Sequence, residues 1–147
     1  MSSFFFDTSA LVKIYHKEVG TEIVEEIYEN PDNKIFISQL SQVEFLSALC
    51  KKIRTDEITA DAFTMAYDKF AADLENRFQV IVFFPELLTE AENLIYQFGQ
   101  SKELRTLDSI QLAIYNETMD KECFFVCADK KLYKLLNYIG IKVYPFW

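Results

Sequence analysis

Four acidic side chains stand where regular structure should begin or turn inward: Asp7, Glu44, Asp108 and Asp129. Asp7 follows the apolar run SSFFF and Asp129 follows CFFVCA, and each is succeeded at once by a helical pattern, TSALVKIYHKE or KKLYKLLNYIG. Glu44, in SQVEFLSAL, and Asp108, in RTLDSIQLA, lie inside amphipathic helical patterns close to the apolar stripe. Carboxylates gathered in one fold repel one another and lose hydration, so they require a compensating cation. A hard divalent ion with oxygen ligands, Mg²⁺ or Mn²⁺, suits them best.

Taken singly, each acid also has a structural explanation. Asp7 and Asp129 directly precede helices, where aspartate caps exposed N–H groups; Thr8 and Ser9 could cap in place of Asp7. Asp108 could pair with Arg105 inside the fold. Glu44, among Leu40, Ser41, Ser47 and Ala48, could pair with Lys51 or Lys52 at a helix flank. The coincidence of all four favours a shared site.

The elements that must position these residues alternate. Strand patterns fall at 3–6, 34–37, 78–83, 123–127 and 141–144, and helical patterns at about 8–16, 20–29, 39–53, 59–75, 86–98, 105–118 and 130–138. Breaks occur at Pro31-Asp32-Asn33, at Pro85 opening a helix, and at Gly99 and Gly140 closing two others. Such alternation implies right-handed crossovers and an α/β fold with a parallel sheet covered on both faces. Ligand crevices of such sheets form at the carboxyl ends of the strands, where Asp7 and Asp129 would lie. The two helices within 39–75 have no strand between them and predict a projecting hairpin. On the first of them Val43, Leu46, Cys50 and Ile53 form the main apolar stripe, and Phe45 and Leu49 lie off it, widening the apolar surface.

The 147 residues fit one domain, 1–147, long enough to bury a core. Half of the residues are hydrophobic and 16% aromatic, which excludes a disordered chain. No apolar run approaches the roughly 20 residues of a membrane span, and the start lacks the pattern of a secretory signal. A cytoplasmic location is expected. Cys50, Cys123 and Cys127 sit in apolar contexts as reduced thiols, without zinc spacing. His16, the single histidine, lies at the end of the first helix, where it acts on the helix dipole rather than in catalysis. No serine stands in a nucleophile elbow. A net charge of −8 argues against a constitutive nucleic-acid coat but permits local cation patches. Lys51, Lys52 and Arg54 follow Glu44, Arg105 precedes Asp108, and Lys130, Lys131 and Lys134 follow Asp129.

In the order FFFDTSALVK, SQVEFLSAL, LRTLDSIQLA and VCADKKLYKLLNYIGIKVY, the chain resembles the PIN-domain nucleases over nearly its whole length, and in size the toxin subunits of VapBC-type toxin–antitoxin pairs. The resemblance implies a three-layer α/β/α sandwich, an acidic pocket for one or two Mg²⁺ or Mn²⁺ ions, and metal-dependent cleavage of RNA. It implies Asp7, Glu44, Asp108 and Asp129 as the acidic set, with Ser9 as the small hydroxyl beside the first aspartate. Two ions about 4 Å apart could bridge a scissile phosphate, activating water on one side and stabilising the leaving oxygen on the other. Asp7 and Asp108 would then be direct ligands and Glu44 a ligand or water orienter. Asp129 would serve a second ion or a metal-bound water, and Ser9 would hydrogen-bond a carboxylate or such a water. An antitoxin protein and a homodimer are the partners expected, with Phe45 and Leu49 as the docking surface.

A different reading is a non-catalytic PIN-like interaction module, its pocket empty or filled by a basic side chain. The presence of all four acids favours the enzyme. A third reading, a structural Ca²⁺ site, is disfavoured by the lack of a D-x-D-x-D-G loop.

Overall fold

Three consecutive phenylalanines follow Ser3 in the first strand, and the pleat sends them to opposite sides of a sheet. The structure is a computed structural model and describes residues 2–147. Strand β1 (Ser3–Phe6) is followed by helices α1 (Thr8–Tyr15) and α2 (Thr21–Glu29), strand β2 (Lys34–Ser38), and helices α3 (Leu40–Arg54) and α4 (Ala60–Asn76). Then come β3 (Phe78–Ile81), α5 (Leu87–Phe98), α6 (Thr106–Thr118), β4 (Phe124–Val126) and α7 (Lys130–Tyr138). The strands form one parallel sheet in the order β3-β2-β1-β4.

Two cores follow from the alternation. Phe4, Phe6, Ile35, Ile37 and Val126 face one side, with Leu11, Val24, Phe45, Leu49 and Phe70 of α1 to α4. Phe5, Phe125 and Cys127 face the other, with Leu87, Leu94, Leu112 and Leu136 of α5 to α7. This is the expected three-layer α/β/α sandwich. The strands carry apolar residues on both faces because helices cover both. Cys50, Cys123 and Cys127 are free thiols. Among the described residues no helix is long and apolar enough to cross a membrane.

Three expectations need correction. The pattern at 141–144 does not form a strand; it makes a single parallel bridge, Phe125 to Val143. Gly140, at φ +87°, turns the chain back from α7 to reach it. The third strand stops at Ile81 rather than residue 83, where the chain leaves the sheet toward Pro85 and Val82 is 65% exposed.

The largest correction concerns α3. Phe45 and Leu49 are fully buried, whereas Val43 is 70% and Leu46 37% exposed, so the inward stripe is Ser41, Phe45 and Leu49. The cause is aromatic packing: Phe45 lies 4.1 Å from Phe70 of α4 and 5.2 Å from Tyr15 of α1, centroid to centroid. A second set at helical spacing was available, and only the partner helices select between them. One face of α4 packs on this core through Phe63, Ala66, Phe70 and Leu74.

Candidate active site

Asp7 is the first residue beyond β1. Its backbone N–H still donates to Val126 O, at 3.2 Å, so β1 and β4 end side by side. Its extended backbone makes it the N-cap of α1, and Oδ1 accepts from Ala10 N at 3.0 Å and from Ser9 Oγ at 2.7 Å. The side chain is buried. Burial pushes its pKa up to about 6, against the lowering effect of those hydrogen bonds, and the charge of Asp108 adds to the rise.

Ser9 ties the two strand ends together. While donating to Asp7, its hydroxyl oxygen accepts from the backbone of Ala128 at 3.0 Å and Asp129 at 3.2 Å. Asp129 occupies at the end of β4 the place Asp7 has at the end of β1: it caps α7 by accepting from Leu132 N at 2.9 Å. Burial of Cys127 and the nearby Asp7 charge push that thiol pKa up.

Asp108 enters from the first turn of α6. Its Oδ2 accepts from Arg105 Nε, and Asp129 Oδ2 accepts from Arg105 Nη2, both at 3.1 Å. One guanidinium thus bridges two carboxylates from different elements. Burial holds the Asp108 carboxyl above its ordinary range, with Arg105 opposing and Asp129 adding to the shift. Both acids in turn raise the pKa of Arg105.

Glu44 belongs to a neighbouring network. Its Oε1 accepts from Thr8 Oγ1 at 2.8 Å and from Gln111 Nε2 at 2.9 Å, and the same Gln111 nitrogen reaches Ser41 Oγ at 2.9 Å. Gln111 is almost fully buried and its Oε1 has no partner. Lys51 and Lys52 do not pair with Glu44; Lys52 binds Glu18 and Glu57 instead. Thr8, Ser41 and Gln111 were not among the residues expected to act here. A signal was present in Gln111 at i+3 from Asp108 and in Ser41 at i−3 from Glu44, on shared helix faces. His16 closes α1 through its backbone, donating to Val12 O and accepting from Thr21 Oγ1, and its imidazole makes no hydrogen bond among the described residues.

Glu44 and the two acids held by Arg105 thus flank the turn Asp7-Thr8-Ser9. The donor atoms are hard carboxylate oxygens, and a resident guanidinium already occupies a cation position between two of them; their chemistry fits Mg²⁺ or Mn²⁺. Among the described residues no three histidine, cysteine or acidic side chains stand where they would jointly hold an ion. Arg105 closes the arrangement. Asp129 lines two cavities, one of about 570 Å³ with Lys102, Arg105, Lys130 and Lys131 in its wall, the other of about 330 Å³ with Lys13, Lys51 and Lys52.

A PIN domain profile matches residues 4–134. The chain belongs to the PIN domain family. Among solved structures it is similar to VapC20 of Mycobacterium tuberculosis, a toxin that cleaves the sarcin-ricin loop. That match has a TM-score of 0.69 at 15% identity, over 97% of this chain and 99% of the other. It is also similar to a toxin–antitoxin complex from Klebsiella pneumoniae, with a TM-score of 0.63 at 16% identity over 98% of each chain. No curated protein sequence matches. At these identities the likeness establishes a common fold.

Proposed function

We propose that this chain is a metal-dependent endoribonuclease, acting as one domain over residues 1–147, and the toxin of a toxin–antitoxin pair. Membership of the PIN family and the fold shared with a toxin that cleaves the sarcin-ricin loop support the class. The observation that carries the reading is the pair of aspartates beyond the adjacent ends of β1 and β4, Asp7 and Asp129, with Asp108 of α6 joined to Asp129 through Arg105 and near enough to Asp7 to raise its pKa. Asp7 and Asp108 would hold Mg²⁺ or Mn²⁺, with Asp129 completing the set and Ser9 fixing the turn. Glu44, held by Thr8 and Gln111, would orient water. A bound divalent ion would neutralise the phosphate and acidify the attacking water. The lysines around the two cavities compensate locally for the net charge of −8, where an RNA strand would pass. The Klebsiella complex supports an antitoxin as partner, and Val43 and Leu46 offer exposed apolar surface for it or for a second copy of the chain.

One observation favours a different reading, a binding module without catalysis: the basic side chain Arg105 fills the space between Asp108 and Asp129. Incubating purified protein with cellular RNA separates the two. Cleavage should require Mg²⁺ or Mn²⁺, stop with chelator, and fall by about 100-fold or more in Asp108→Asn with the fold intact. Undiminished cleavage in chelator would overturn the metal mechanism, and no cleavage under any condition would favour the module.

A further inference from the structure

We propose that Arg105 is a resident counterion that metal must displace, so that the chain holds its own site closed until a divalent ion competes it away. The inference rests on the reading of the acids as metal ligands. Arg105 is the N-cap residue of α6, with extended backbone and no capping hydrogen bond from its side chain. Its side chain is therefore free of any task in the helix. It reaches one turn forward to Asp108 and across to Asp129, taking Oδ2 from each.

The two partners differ in how firmly they are held. Asp129 is fixed by its second oxygen on Leu132 N, and Asp108 by the first turn of a helix whose next turns are buried. Their side chains are 31% and 21% exposed, whereas that of Arg105 is 70% exposed. The acids are built in and the cation is hydrated at one face. Exposed ion pairs of this kind are weak, and a divalent ion offers the same oxygens twice the charge with a preference for carboxylate. The binding-competent fraction of the protein is the fraction with Arg105 swung out, and apparent metal affinity scales with it.

The test is Mn²⁺ binding, measured by titration calorimetry on RNA-free protein, for wild type, Arg105→Gln and Lys130→Gln. Lys130 lies in the wall of the same cavity without bonding either acid, so its loss removes equal charge without opening the pair. Arg105→Gln should bind Mn²⁺ about tenfold tighter than wild type, the gain from removing two weak competing contacts, and Lys130→Gln less than about twofold tighter. Equal or weaker binding by Arg105→Gln, or an equal gain from Lys130→Gln, overturns the proposal and leaves the metal site standing. Absence of Mn²⁺ binding in both wild type and Arg105→Gln overturns the proposal together with the nuclease reading.

Discussion

Two acid-centred clusters sit in this fold, and they are built on opposite rules. On α4, Asp73 Oδ2 accepts from two phenols, Tyr15 at 2.5 Å and Tyr28 at 2.7 Å. Arg77, one turn on, spends its donors on the backbone carbonyls of Tyr28, Asn30 and Asn33. Burial pushes both phenol pKa values up, and the hydrogen bond and charge of the Asp73 carboxylate add to the rise. No second carboxylate joins it in these bonds. At the ends of β1 and β4, by contrast, Asp108 and Asp129 share a single exposed guanidinium, Asp7 lies close enough for the charge of Asp108 to raise its pKa, and Gln111 Oε1 of the adjoining network is left buried without a partner. The first cluster fastens α4 to α1 and α2. The second keeps carboxyls whose pKa burial raises, the pattern expected of the proposed site rather than of a clamp.

The largest effect should come from the floor beneath the Asp73 cluster. Phe45 is fully buried between Tyr15 and Phe70, so Phe45→Ser leaves a cavity and buries a hydroxyl. A loss of about 3–5 kcal/mol is expected in urea unfolding, enough to threaten the native state. Unchanged stability would return Phe45 to the surface and dissolve the clamp.

Next in size is Asp7→Asn, with the opposite sign. The folded pKa of about 6 lies above the unfolded value of 3.8, so the folded protein takes up this proton first. The stabilisation from protonated Asp7 is therefore complete below pH 3.8 and lost as pH rises through about 6. Asparagine imitates the protonated form at every pH. In chelator, Asp7→Asn should exceed wild type by up to about 3 kcal/mol above pH 6, and the advantage should shrink as pH falls toward 4. Unfolding curves at pH 7.5 and 4.5 measure it; a variant less stable at pH 7.5 would make Asp7 a simple helix cap.

Much of this contrast was legible in the amino-acid sequence. Asp7 and Asp129 were placed at strand ends because SSFFF and CFFVCA are continuous apolar runs followed by helical periodicity, and both ends do meet in the structure. Capping and site geometry did not compete as alternatives: Asp7 and Asp129 cap their helices with Oδ1, and Oδ2 of Asp129 still faces Arg105. The pairing of Arg105 with Asp108 was visible as an i,i+3 spacing, whereas its reach to Asp129 depends on how α6 and β4 pack. Asp73 gave no signal at all. Its partners lie 58 and 45 residues away, and nothing local marks a helix aspartate as the acceptor of two distant tyrosines. The inverted stripe on α3 failed for the same reason: periodicity finds apolar faces, but Phe70 and Tyr15 decide which face is covered.

The smallest expected effect tests the comparison most directly, because one chemical change is made at both clusters. Asp73→Asn keeps a side-chain oxygen that can still accept from Tyr15 and Tyr28, but removes the charge that makes those hydrogen bonds strong. No like charge in the bonded group is relieved in return. Stability should fall by about 1 kcal/mol, the difference between charged and neutral hydrogen bonds. Double-mutant cycles with Tyr15→Phe and Tyr28→Phe should show coupling at each pair, since the partners share one oxygen. RNA cleavage should be unchanged at temperatures where the variant is folded. If Asp73→Asn instead stabilises the protein as Asp7→Asn is expected to, both clusters store repulsion. The division into a clamp on α4 and a site at the strand ends would then fail.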